Sequence, residues 1–292
     1  MNEQQGKILD GKKLANELNS KLKREIERLK SKTGISPKLA TILIGSDPAS
    51  EVYIKIKHRT CQELGITSEL VKFDKNVKVE TISRTIRDLN QDSEVHGILL
   101  QLPLPERLQE ETDELIQLID SEKDVDGFSY INRGQLFYTR ESLAPCTPKG
   151  ILHLMYVNNI ELKGKDVVIV NHSNLVGKPL MLMMLNRNAT VSVCHEHTKE
   201  IEAYTKDADI LVVGIGKPNF ITKEMIKENS VIIDVGINRV DGDLTGDVDF
   251  EDVYEKCGRI TPVPGGVGPM TVAMLMQNTI IAYKRQLNIP DK

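Results

Sequence analysis

The sequence predicts an α/β protein of two domains, one of them built on a doubly wound parallel sheet. Three observations carry this. The short β-branched run Val167–Val170 reads as a strand buried on both faces, and further strands follow at Thr190–Cys194, Ile210–Val213 and Val231–Val235, with helical or loop segments between them. A similar alternation fills the first half, where Leu39–Ile44, Thr67–Phe73 and an apolar run ending at Gln101 are separated by segments of helical spacing. With 292 residues, the chain is long enough for two domains of ordinary size.

The second half centres on DVVIVNHSNLVGKPLMLMML, residues 166–185. A buried strand turns through Asn171–His172–Ser173–Asn174 and restarts as an apolar helix at Gly177–Lys178–Pro179, proline being tolerated in a first turn. A strand, a tight turn and a helix N-terminus make a natural anion site, because free backbone N–H groups and the helix dipole point at the turn. This is the pattern of a Rossmann-type dinucleotide-binding domain, although the turn lacks G-x-G-x-x-G and holds only Gly177. The plainer alternative is an α/β domain whose turn binds nothing.

Composition narrows the partners. The chain is 40% hydrophobic and 27% charged, as globular proteins are, and its net charge of −4 argues against nucleic acid. No apolar run approaches membrane-spanning length, and the opening MNEQQGKILDGKK carries no apolar leader, so no membrane association is expected. Cys61, Cys146, Cys194 and Cys257 lie far apart without a C-x-x-C pair. They read as reduced thiols of a cytoplasmic protein, with no metal site and no disulfide frame.

From the start of the chain, Leu14, Leu18, Leu22, Ile26 and Leu29 share one face of a charged helix over residues 11–31. After the first strand, Asp47 as N-cap and Pro48 at the first helical position open a helix that Gly65 stops. Ser50, Tyr53 and Lys57 fall on one face of it, past the carboxyl end of a strand, where α/β proteins place ligands. By itself Lys57 reads first as a surface lysine, on a helix that also carries Lys55. A helix over residues 77–90 leads to the strand closed by Gln101, which two prolines prevent from continuing. Asp124 and Asp126 flank Val125 at a turn after a helix near residues 112–120; they are either turn formers or paired acceptors for a planar amino-heterocycle. Cys146–Gly150 opens a helix over residues 151–158 that leads into the second domain. Near the end, a loop rich in proline and glycine (residues 260–271) lets backbone approach a ligand, and an apolar helix over residues 272–287 packs back on the first domain. The domains expected are 1–147 with 270–292, and 148–269.

Seven segments in order then resemble the bifunctional methylenetetrahydrofolate dehydrogenase/cyclohydrolase family. They are Tyr53-Ile-Lys-Ile-Lys57, His96-Gly-Ile-Leu-Leu-Gln-Leu-Pro103, Lys123-Asp-Val-Asp-Gly127, Thr147-Pro-Lys-Gly150, Ser173-Asn-Leu-Val-Gly-Lys-Pro179, Asp234-Val-Gly-Ile-Asn238 and Pro262-Val-Pro-Gly-Gly-Val-Gly-Pro-Met-Thr271. The resemblance implies an N-terminal three-layer α/β folate domain beside the Rossmann-type one, and a homodimer. It implies oxidation of 5,10-methylenetetrahydrofolate to the methenyl form with NADP or NAD, then hydrolysis to 10-formyltetrahydrofolate. It casts Tyr53 as stacking on the folate, Lys57 as the key cyclohydrolase group, Gln101 as its holder and Asp126 as the pterin acceptor. Leu102, Pro103, Pro264, Gly265, Gly266, Val267 and Gly268 would complete the substrate side. Asn171, His172, Ser173, Val176, Gly177, Pro179, Glu196, Gly214 and Ile237 would line the cofactor side.

Two departures bear on the cofactor. The family's usual Gly-Arg-Ser turn is here Asn171–His172–Ser173, and its Cys-His-Ser is Cys194–His195–Glu196. The arginine and serine that hold the 2′-phosphate in NADP-using members are thus missing. Glu196 stands where an acidic residue would accept from a ribose 2′-hydroxyl, which favours NAD. His172, His197 and Lys199 argue the other way, as cations able to hold a phosphate. A shikimate- or hydroxy-acid-type dehydrogenase shares the sheet pattern but leaves residues 262–271 unexplained. A folate- or nucleotide-binding regulatory protein would not need Lys57 and Gln101 together.

Overall fold

The computed structural model describes residues 6–290; the few residues at the ends of the expected first domain, 1–5 and 291–292, lie outside the described residues. The chain divides into two compact units. One holds residues 17–135, 140–146 and 272 onward, and the other holds the residues up to Asn16 together with 136–139 and 147–271.

The first unit is built on three parallel strands, β1 (Lys38–Ile44), β2 (Thr67–Phe73) and β3 (Gly97–Leu100), in the order β2-β1-β3. Helix α1 (Gly11–Thr33) precedes them and buries Leu18, Leu22, Ile26 and Leu29 along one stripe, as its spacing predicts. Helix α2 (Pro48–Leu64) has the expected caps: Asp47 accepts from the Ser50 N–H at 2.7 Å, and Gly65 closes the end with φ 84°. Helix α3 (Val79–Gln91) sets Ile82, Ile86 and Leu89 into a core shared with Ile42, Ile98 and Leu100. The chain passes from β1 through α2 to β2 on one side, then through α3 to β3 on the other. The strand order therefore reverses between β1 and β3, and an α/β sheet opens a crevice at such a point. Short helices α4 (Thr112–Gln117) and α5 (Tyr130–Gln135) flank a segment in which Asp124 bridges Ile98 in parallel, extending the sheet beyond β3.

The second unit opens with α6 (Cys146–Val157), which begins five residues before the expected helix. Its sheet has five parallel strands, β4 (Asp166–Val170), β5 (Thr190–Cys194), β6 (Ile210–Val213), β7 (Val231–Asp234) and β10 (Arg259–Ile260), in the order β10-β7-β6-β4-β5. Here the reversal lies between β4 and β6. Helix α7 (Gly177–Leu185) follows β4; α8 (Glu202–Thr205) and α9 (Phe250–Tyr254) are short. Residues 238–245 form a hairpin, β8 (Asn238–Val240) against β9 (Asp243–Thr245). Asp241 and Gly242 both have positive φ, as a two-residue hairpin loop requires.

The last helix, α10 (Val267–Gln286), starts earlier than the expected residue 272. Val267 and Gly268, expected in a loop, form its first turn, where Pro269 costs little because the N–H it lacks would have no partner there. Its later part packs within the first unit as expected: Met276 meets Cys61, Tyr283 donates to Ile35 O, and Gln286 donates to His96 O. No helix among the described residues is long and apolar enough to cross a membrane.

Candidate active site

In the first unit, three candidate side chains reach the carboxyl ends of neighbouring extended segments. Lys57 lies on the helix after β1, and Gln101 follows β3, its N–H continuing the ladder to Ile42 O at 2.9 Å. Lys57 Nζ donates to Gln101 Oε1 at 3.0 Å, and Gln101 Nε2 donates to Leu102 O at 2.6 Å. The glutamine is therefore oriented by its own backbone neighbour and offers the lysine an oxygen. Ser50 is buried on the same helix face, and Tyr53 and Lys57 are half-buried.

The two aspartates have separate jobs. Asp124 is the turn former: its carboxylate accepts from the N–H groups of Gly127, Phe128 and Ser129 and from Asn132 Nδ2. Asp126 is left for other work. Burial pushes its carboxyl up to about 6, against the Lys57 charge, which pulls it down, and the Asp124 charge, which raises it further. The preceding carbonyl, Val125 O, is held by Asn278 Nδ2 at 2.9 Å and by Cys146 Sγ at 3.3 Å, so the C-terminal helix fixes this segment.

The cofactor candidates sit in the second unit around the β4/β6 reversal. Asn171 spans it: Nδ2 donates to Gly214 O after β6, while Oδ1 accepts from Ser173 N at 2.8 Å and Gly177 N at 3.1 Å. Val176 N donates to Ser173 Oγ, and Lys178 N to Ser173 O. The N–H groups that the sequence suggested were free for an anion are thus engaged inside the turn. Glu196, past the end of β5, stands between His172 Nδ1 at 3.6 Å and His197 Nε2 at 3.7 Å. Its own backbone N–H and then the nearby imidazoles hold its carboxyl below the ordinary glutamate value. Ile237 is exposed at the hairpin entrance, Pro179 lies in the first turn of α7, and Pro264, Gly265 and Gly266 form the turn before α10. Among the described residues, no group of three or more His, Cys, Asp or Glu could hold a metal ion.

One family model, the tetrahydrofolate dehydrogenase/cyclohydrolase catalytic domain, matches residues 9–126, and a second, the NAD(P)-binding domain of the same enzymes, matches residues 145–287. The chain belongs to the tetrahydrofolate dehydrogenase/cyclohydrolase family. The bifunctional protein FolD of Nautilia profundicola is 49% identical over 278 residues, 95% of this chain and 97% of that protein. The crystal structure of the bifunctional FolD enzyme of Campylobacter jejuni is 47% identical with a TM-score of 0.92, over 95% of this chain and 99% of that one. The Trypanosoma brucei enzyme, solved with NADP and an inhibitor, is 32% identical with a TM-score of 0.92, over 96% and 98% of the two chains.

Set within the tetrahydrofolate dehydrogenase/cyclohydrolase family, the first unit carries the Lys57–Gln101 pair and Asp126 that the motifs pointed to. The sequence did not disclose the Asn171 latch, nor two buried carboxylates behind it, Asp234 and Asp247. A usable signal existed only for the hairpin that Asp247 helps to hold, in the Asp241–Gly242 dipeptide.

Proposed function

We propose that Lys57, held by Gln101, is the proton-handling group of the cyclohydrolase step, that Asp126 receives the pterin, and that NAD is the preferred dinucleotide. As a member of its family, the chain oxidises 5,10-methylenetetrahydrofolate to the methenyl form with NAD(P) and hydrolyses that product to 10-formyltetrahydrofolate. The observation that carries the assignment is the Lys57–Gln101 hydrogen bond at a strand reversal.

The chemistry suits these groups. Gln101 occupies one of the lysine's donor directions and adds no charge, so the remaining directions can address substrate and water. Water adds to the methenyl carbon and gives up one proton, and the hydroxyl proton of the adduct then passes to the ring nitrogen as its carbon–nitrogen bond breaks, leaving the formyl group on the other nitrogen; Lys57 is placed to move these protons. Asp126, whose ionised form burial makes costly, gains most from a ligand that brings two N–H donors, as an aminopyrimidinone edge does. NAD(P), when bound, supplies the hydride acceptor. Holding both partners in line is the main help this step needs from the protein.

The residues at the β4/β6 reversal fit a dinucleotide by their donor and acceptor set. An exposed carboxylate at the end of β5 accepts from a ribose hydroxyl and repels a phosphate. A homodimer in the cytoplasm completes the reading. Exposed Phe137 and Tyr138 and four free, buried cysteines support it.

The test is the initial rate of methylenetetrahydrofolate oxidation with NAD and with NADP, compared as kcat/KM. A higher value with NAD supports the Glu196 reading. A higher value with NADP means that the histidines and Lys199 hold a phosphate.

A further inference from the structure

Asp234 and Asp247 are buried in the second unit, and neither has an ion-pair partner among the described residues. Backbone amides hold them instead. Asp234 Oδ1 accepts from Gly236 N at 2.9 Å and Asp247 N at 3.1 Å, and its Oδ2 accepts from Val248 N at 2.9 Å. Asp247 Oδ2 accepts from Ile215 N and from Gly216 N, the latter at 3.0 Å, and its Oδ1 accepts from Asn238 Nδ2 at 2.8 Å.

Space for the two carboxylates is made by glycines. A Cβ at Gly236 would lie 2.3 Å from Asp247 Cγ, and one at Gly246 would lie 1.9 Å from Asp234 Oδ2. Burial pushes the Asp234 carboxyl up to about 6, so an ionised group here is maintained against its surroundings by the amides that point at it.

These contacts form one connected path. Asp234 at the end of β7 fixes the backbone of Asp247, which fixes Ile215 and Gly216 after β6 and Asn238 at the start of β8. Gly214, next to Ile215, accepts from Asn171, which gathers Ser173 and Gly177 at the start of α7. The path thus runs under both sides of the β4/β6 reversal.

We propose that Asp247 is a positioning residue for the dinucleotide: it sets the turn after β6 and, through Gly214 and Asn171, the turn that opens α7. It touches no ligand itself. The proposal rests on dinucleotide binding at this reversal. Asp247→Ala leaves the Ile215 and Gly216 amides without their acceptor. Asp247→Asn turns one oxygen into an NH2 group facing the Asn238 amide. Combining Asn238→Asp with Asp247→Asn restores an amide–carboxylate contact and keeps an oxygen toward Ile215 and Gly216.

The experiment measures KM and kcat for NAD and NADP, with methenyl hydrolysis and thermal unfolding followed in parallel. Expected for Asp247→Ala is a KM rise of about tenfold or more for both dinucleotides, with kcat and methenyl hydrolysis changed less than about threefold. Asp247→Asn should raise KM less, and the paired exchange should bring it back to within about threefold of the parent. An unchanged KM in a folded Asp247→Ala, or an equal loss of both activities, overturns the proposal. If Asp247→Ala does not fold, the single and paired asparagine variants decide, and a paired exchange without recovery overturns it. A parent protein that binds neither NADH nor NADPH by fluorescence overturns the dinucleotide reading itself.

Discussion

Lys57 Nζ and Gln101 Oε1 meet at 3.0 Å although 44 residues separate them, because β1 and β3 are neighbours whose following segments leave at the same sheet edge. Replacing the amine by a methionine of similar length removes the proton carrier and keeps the bulk. Lys57→Met should lower methenyl hydrolysis by about 100-fold or more while folate affinity stays within about threefold. Stopped-flow loss of methenyl absorbance and folate titration read the two effects separately.

Gln101 acts through the lysine, so its loss should cost less. Gln101→Met is expected to slow hydrolysis by about tenfold, and the double variant with Lys57→Met should be no slower than Lys57→Met alone. Full additivity of the two effects would mean that the glutamine works independently of the lysine.

Asp126 binds its proton more tightly in the folded chain than a free aspartate does, with a pKa of about 6 where an unperturbed aspartate has about 3.9. The folded state then holds more protons than the unfolded one between these values, so this group's contribution to stability falls as pH rises from about 4 to about 6. Asp126→Asn removes that loss. Its unfolding midpoint at pH 7 should exceed the parent's, by the equivalent of about 1–2 kcal/mol, and the gain should vanish near pH 4. Folate affinity should fall by about tenfold or more in the same variant, a trade of binding for stability. Taking the difference between variant and parent cancels the like slope from Asp234 and the opposite one from buried His96, whose pKa burial lowers to about 4.

At the cofactor side, Glu196→Ser with His172→Arg replaces an acceptor by a hydroxyl and an imidazole by a fixed cation. The ratio of kcat/KM for NADP over NAD should rise by about tenfold or more. Equal changes for both dinucleotides would assign these residues to the shared part of the ligand and not to the ribose.

Gly11 lies against the turn before α10, where a Cβ would come within 1.9 Å of Gly266 O. Gly11→Ala should destabilise the chain by about 2–4 kcal/mol, read as an earlier urea midpoint at constant slope.

Much of this architecture was legible because its signals are local. Asp47 and Gly65 mark both ends of α2, and the β-branched runs mark four strands of the five-stranded sheet, while the two-residue β10 reads as the start of a loop. The start of α10 was missed because Gly268 and Pro269 count as breakers in a helix interior but not in a first turn. The engaged N–H groups before α7 were missed for another reason. Asn171 reaches six residues ahead to Gly177, a side-chain contact that periodicity does not encode. Asp247 was silent in the same way, since its partners at 215, 216 and 238 are close only after the sheet has formed.

The second unit joins segments far apart in the chain, residues up to Asn16 and residues 147–271. Leu9 donates to Ile260 O at 2.8 Å, and Lys12 donates to Gly265 O at 2.8 Å, so an early segment completes its bonding only with residues some 250 positions later. At ribosomal rates of about 5–20 residues per second, that early segment waits about 10–50 seconds for its partner to be made. During synthesis the sheet therefore grows without its final clasp, which closes only once residues 260–265 have been made.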